Sequence, residues 1–213
     1  MRRSLGKTAA VTGAVAVLAL AAPAATAGVA APAWTVGPSS PESFSGAAGA
    51  VRFQWGINGY IPMTCPSSAV RGDLASAPGA TGVQVGTVAP LTWSGCSSPF
   101  GPMNPVADTS TPWKLVADSH TAGTTSGYVS GVRLTLTMLT CSMVASGRLA
   151  FTYTNSTARM KVHADSTYGI TVQQASPGCA GLAAVGDTWS YDATYSVVAP
   201  AGGTAGPTIV HTP

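Results

Sequence analysis

The sequence has little charge. Lys and Arg number 10 and Asp and Glu 7 in 213 residues, 8% of the chain. Glu42 is the single glutamate. Arg2, Arg3 and Lys7 lie in the first seven residues; without them seven basic and seven acidic side chains remain, and the net charge is zero. A neutral chain has no electrostatic footprint for a phosphate backbone, which excludes nucleic acid as a partner. After the N-terminal head no apolar run is long enough to span a bilayer, so no transmembrane anchor is expected. There is no C-x-x-C pair and no His beside a Cys, so no metal site is expected. Phosphate loops, dinucleotide fingerprints and calcium loops are missing too, and no cofactor is expected.

What is present at the start is an export signal. Met1 to Lys7 is a short basic head, Thr8 to Ala22 an apolar run, and Ala25-Thr26-Ala27 a small-residue cleavage site. That order predicts a signal peptide over 1–27 and a mature chain from Gly28, secreted or extracellular. Arg2-Arg3 hints at twin-arginine export, but Ser4 to Lys7 fit that motif loosely, and the general route is preferred.

Four cysteines follow: Cys65, Cys96, Cys141 and Cys179. An even count in an exported chain argues for two disulfides, and four cysteines allow three pairings. An internal similarity favours one of them. Val51-Arg52-Phe53, Thr64-Cys65 and Gly72-Asp73-Leu74 parallel Val132-Arg133-Leu134, Thr140-Cys141 and Gly147-Arg148-Leu149. Gly95-Cys96 parallels Gly178-Cys179. A tandem duplication with one disulfide per half, Cys65–Cys96 and Cys141–Cys179, accounts for this pattern. The halves would span about 41–117 and 128–200 of one domain over 41–200, between a Pro-rich lead-in (28–40) and a Gly/Pro-rich tail (201–213).

The domain reads as strands. Val132, Leu134, Leu136 and Met138 alternate with Arg133, Thr135 and Thr137; Trp189, Tyr191, Ala193, Tyr195 and Val197 alternate with polar residues. Similar runs occur at 51–55, 83–88, 91–93, 113–117, 148–154, 160–163 and 170–173, with a short closing strand at 208–210. The expectation is an all-β fold, an antiparallel sandwich or partly closed barrel of about nine or ten strands. Pro99, Pro102, Pro105 and Pro112 predict an irregular loop after Cys96.

Catalytic constellations are weak. Asp118-Ser119-His120 puts three triad residue types in a row, but neighbours on a strand face opposite ways. Gly127 to Gly131 has the wrong spacing for a nucleophile elbow. No carboxylate pair stands out, and Asp165 and Asp187 lie in turns. Trp93, Trp113 and Trp189 sit on alternating apolar faces and are expected to pack. Trp55 and Tyr60, around Gly56 and Gly59 in a more turn-like stretch, are the candidate ligand contacts. Asn155-Ser156-Thr157 matches a glycosylation sequon.

One ordered set of motifs covers nearly the whole mature chain: Trp34-Thr35-Val36, Thr64-Cys65, Ser94-Gly95-Cys96, Pro112-Trp113, Cys141, Tyr153 to Thr157, Gly178 to Leu182, Gly186-Asp187 and Tyr195-Ser196-Val197. It resembles a group of secreted actinobacterial proteins with no established activity. The resemblance implies export, β-structure and two disulfides, and carries no catalytic residues. Gly56 to Met63 and the Pro-rich loop after Cys96 depart from the group's pattern.

The functional expectation is a secreted, non-enzymatic extracellular protein, binding or cell-envelope associated, with cell-wall material or another protein as partner. The alternative is a carrier of a small apolar ligand held inside the fold. A hydrolase or a protease inhibitor ranks last; an inhibitor would need residues 97–112 as a rigid exposed loop.

Overall fold

A computed structural model describes residues 30–56 and 61–213. The expected signal peptide, Gly28 and Tyr60 lie outside the described residues. The strands are β1 (Ala33–Gly37), β2 (Glu42–Ala48), β3 (Val51–Trp55), β4 (Ile61–Cys65), β5 (Ser67–Leu74), β6 (Ala77–Pro78), β7 (Val83–Ser94), β8 (Ser97–Ser98), β9 (Gly101–Pro102) and β10 (Asn104–Ala107). They continue as β11 (Trp113–Thr121), β12 (Thr124–Met138), β13 (Cys141–Thr154), β14 (Arg159–His163), β15 (Ile170–Ala175), β16 (Thr188–Val198) and β17 (Thr208–Thr212). A 3₁₀ turn, Pro177–Cys179, joins β15 to β16.

Eight of these strands close a barrel. β2, β5, β7, β11, β12, β13, β14 and β16 each pair antiparallel with the next, and β16 pairs back onto β2. Of the two architectures the sequence allows, the barrel is the one that forms, and it closes fully. Alternation explains it: along β16 the buried residues are Trp189, Tyr191, Ala193, Tyr195 and Val197, so one face of each strand fills the interior.

The remaining strands extend this frame. β3 pairs with β16 and carries β4, β8 and β9 outward; β10 pairs with β12. Residues 97–112 are thus not wholly irregular, because three short strands run through them despite the prolines. β14 and β15 share one slot between β13 and β16, β14 beside Ala150–Thr154 and β15 beside Met143–Gly147. A separate three-stranded sheet, β17-β1-β6, contributes Trp34, Val36 and Ile209 to the same core.

The strand order repeats. Strands β2, β5, β7 and β11 form the first half, and β12, β13, β14/β15 and β16 the second. In each half a disulfide ties a cysteine at or just before the start of the second strand (Cys65 ends β4 ahead of β5, Cys141 opens β13) to the segment after the third: Cys65–Cys96 and Cys141–Cys179, both formed as expected. Their 31- and 38-residue separations correspond to about 3–4 kcal/mol of stabilisation each in the chain-entropy account. In each half a glycine lets the second strand press against the third. A Cβ on Gly72 would lie 1.9 Å from the Thr87 carbonyl oxygen, and one on Gly147 would lie 2.0 Å from that of Gly169.

Each half also holds one terminal strand. After β5, β6 pairs with Ala33 and Trp34, the Ser76 Oγ accepts from the Val36 N–H at 2.9 Å, and the Gly79 N–H donates to the Pro32 carbonyl. After β13, the Asn155 amide brackets Ile209: Nδ2 donates to its carbonyl at 2.9 Å, and Oδ1 accepts from its N–H at 3.0 Å. The Tyr153 hydroxyl donates to the Pro207 carbonyl at 2.7 Å.

Candidate functional site

The barrel interior is the first place to look for a ligand, and it is filled. The larger interior void, beside Trp93, Trp113, Tyr191 and Tyr195, measures about 30 Å³; a second, beside Phe44, Tyr153 and Ile209, measures about 10 Å³. Both are at the scale of a single water. Three hydroxyls inside satisfy one another, while the Trp93 indole N–H beside them has no partner among the described residues. Tyr191 and Tyr195 hydroxyls meet at 2.7 Å, Tyr195 reaches Ser68 Oγ at 3.0 Å, and Ser68 donates to the Thr92 carbonyl at 2.8 Å. Burial pushes the Tyr191 and Tyr195 phenols up in pKa, which keeps this chain neutral.

Trp55 is not an exposed contact. It closes strand β3, is 0% exposed and joins the core; its indole N–H has no hydrogen-bond partner among the described residues. The strand ends where expected, and Gly56 follows it at φ +81°; what differs is that the Trp55 ring turns into the core. Trp93, Trp113 and Trp189 are buried, as their alternation predicted. No group of three or more His, Cys, Asp or Glu able to hold a metal occurs among the described residues.

The Asp118-Ser119-His120 run does not converge. Asp118 accepts from the Gly82 N–H at 3.1 Å, while His120 Nδ1 contacts Thr125 Oγ1 at 2.9 Å. His120 and His211 instead flank Trp34, with ring centroids 6.5 and 4.7 Å away. The Asn155 amide is occupied by the Ile209 main chain, so the sequon's nitrogen does a structural job. In the proline segment the Phe100 ring is 48% exposed, on a turn where Ser98 Oγ accepts from the Phe100 N–H.

An open groove lies on the outer wall. Between β14 and β15 the chain leaves the ladder after His163 and re-enters at Ile170. This six-residue excursion frames a groove of about 650 Å³ against the starts of β15 and β16 and the end of β3. Its lining is hydroxyl and amide: Gln54, Ser166, Thr167, Thr171, Thr188 and Ser190, with Asp165 at the side and part of Trp189 on the floor. Thr171 lies opposite Thr188 and Ser190 opposite Gln54 in the ladders. The Ser190 hydroxyl donates to Gln54 Oε1 at 3.3 Å.

The excursion is braced from within. Asp165 Oδ1 accepts from the N–H groups of Tyr168 and Thr167, each at 2.7 Å, and these hold its carboxyl below the usual carboxylate range. The Asp165 N–H donates to the Tyr168 carbonyl, Ala164 N–H to Tyr191 and Arg148 N–H to Gly169. Tyr168 stacks on Tyr128 with centroids 5.0 Å apart, and the Arg148 guanidinium lies 5.2 Å from the Tyr128 centroid. Sequence reasoning placed Asp165 in a turn and stopped there. The signal for the groove was the gap between two short strands that share one slot, which pairing reveals and periodicity does not.

No protein family, curated protein or solved structure matches this chain.

Proposed function

We propose that the protein is a secreted, non-enzymatic binding protein associated with the cell envelope, working through its outer wall rather than its interior. The observation that carries this reading is a contrast of volumes. The interior voids of about 30 and 10 Å³ hold no ligand, whereas the wall groove of about 650 Å³ falls within the ~300–1,000 Å³ of small-ligand sites. The carrier reading needs an interior cavity and finds no support in those volumes. Two disulfides suit an oxidising compartment, and no helix among the described residues is long and apolar enough to cross a membrane. The basic head, apolar run and cleavage site at 1–27, and the resemblance to secreted actinobacterial proteins, support export.

The test is co-sedimentation of the purified mature protein with isolated cell walls, alongside its mass under native and denaturing conditions. We expect wall binding and equal masses. Absence of binding to walls, or a native mass raised by a small retained molecule, overturns the reading.

A further inference from the structure

The groove's lining points to a ligand class, and this step rests on the envelope-binding reading above. We infer that the groove between the 164–169 excursion and the starts of β15 and β16 is a binding site for a neutral, polyhydroxylated chain, a segment of glycan. Four features of the site carry the inference.

The first is chemistry. Gln54, Ser166, Thr167, Thr171, Thr188 and Ser190 line the groove. Hydroxyls both donate and accept, and an amide offers both functions at fixed positions. That complement matches a ligand whose own groups are hydroxyls and amides. An apolar ligand would strip water from these groups and give nothing in return.

The second is charge. Asp165 is the one ionisable side chain on the lining. Its Oδ1 is already engaged by two main-chain N–H groups. No Lys or Arg lines the groove to meet an anion, and a cation would find one carboxylate committed to the turn. A neutral ligand fits this field.

The third is preorganisation. The Asp165 turn, the main-chain bonds of Ala164 and Gly169 and the Tyr168–Tyr128 stack hold the excursion in place without a ligand. The opposite side is sheet. A ligand therefore meets a formed surface and bears little ordering cost.

The fourth is size and openness. A volume of about 650 Å³ accommodates a short run of rings, and an open groove suits a chain that continues past it. Hydrogen bonding without an exposed aromatic platform gives weak single-site affinity, which a repeating polymer compensates by presenting many copies.

The experiment uses the mature protein and a neutral N-acetylglucosamine hexamer, with polygalacturonate as the anionic control, followed by two-dimensional amide NMR. We expect shifts confined to residues 164–171, 188–190 and Gln54, with the hexamer and not with the polyanion. Thr188→Trp and Ser166→Trp, which fill the groove from its two sides, should each weaken hexamer binding at least tenfold at unchanged Tm. Using both protects the result against one substitution disturbing the fold. No groove shifts with the hexamer, equal shifts with the polyanion, or unchanged affinity in both variants overturns the inference. The two claims separate cleanly. Wild-type and variant proteins that co-sediment equally with walls leave the envelope reading standing and remove the groove from it. Hexamer shifts in the groove without wall co-sedimentation do the reverse.

Discussion

The two halves of the barrel share a strand order, a disulfide at the same place and a glycine under the same constraint, yet they hold their terminal strands differently. The first half grips β1 mainly through main chain, with the β6 ladder, the Gly79 N–H and one serine hydroxyl. The second half grips β17 with side chains, the Asn155 amide and the Tyr153 phenol. The shared features sit where strands cross closely, where sterics leave one solution. The differing features sit at the rim, where any donor and acceptor of the right reach will serve. A second difference follows from insertions. The first half adds β3–β4 and β8–β10, and the second half adds the excursion between β14 and β15. The groove forms where an addition from each half meets, at Gln54 and at 164–169.

The strongest way to break the equivalence is at the glycines. Gly72→Ala and Gly147→Ala each drive a methyl into a main-chain carbonyl that cannot step aside. Each should cost about 3 kcal/mol or more, at the upper end of overpacking, read as the urea midpoint. Tolerance in one half only would show that the halves are not constrained alike.

The grips should differ in size. Asn155→Ala leaves the Ile209 N–H without its partner and its carbonyl with Thr125 Oγ1 alone, at 3.4 Å, for about 2 kcal/mol. Ser76→Ala removes one acceptor beside an intact ladder, for about 1 kcal/mol. Hydrogen exchange should place the first loss at 208–212 and the second at 33–37; equal effects would collapse the distinction.

Tyr153→Phe also costs about 1 kcal/mol at neutral pH, and its sign of pH dependence is informative. Burial pushes the Tyr153 phenol up to about 12 from 10. Between those values the unfolded chain gives up its proton and the folded one keeps it, so this stabilisation is complete below pH 10 and falls as the pH rises towards 12. The gap between wild type and Tyr153→Phe should therefore close in alkaline melts. A gap that stays constant to pH 12 would mean that the phenol is not held as described.

Much of the frame is legible in the sequence. The long alternations at β12 and β16, the all-β class and the disulfide partners came from period two and from the internal similarity. β2 and β5 escaped notice because small and polar residues take buried positions there: Gly46, Ala48 and Ser68. Their faces carry too few large apolar residues to show a period. Barrel closure was invisible for a different reason, since pairing between β16 and β2 has no local signature. At the candidate site Trp55 ends the strand expected at 51–55, but its ring is buried in the core and offers a ligand no contact. Tyr60 lies outside the described residues.

The terminal pairing has a kinetic side. β1 meets β17 with Ala33 opposite Thr212, and barrel closure sets Ala47 against Ser196. Ala201 donates to Ser43 across 158 residues of sequence. Contacts of such separation give no free energy until nearly the whole chain is in hand, so loop-closure entropy must be met first. Within each half, neighbouring strands meet over short distances and can assemble early. Folding should then run as two hairpin-rich units that form quickly and wait on a slow joining step.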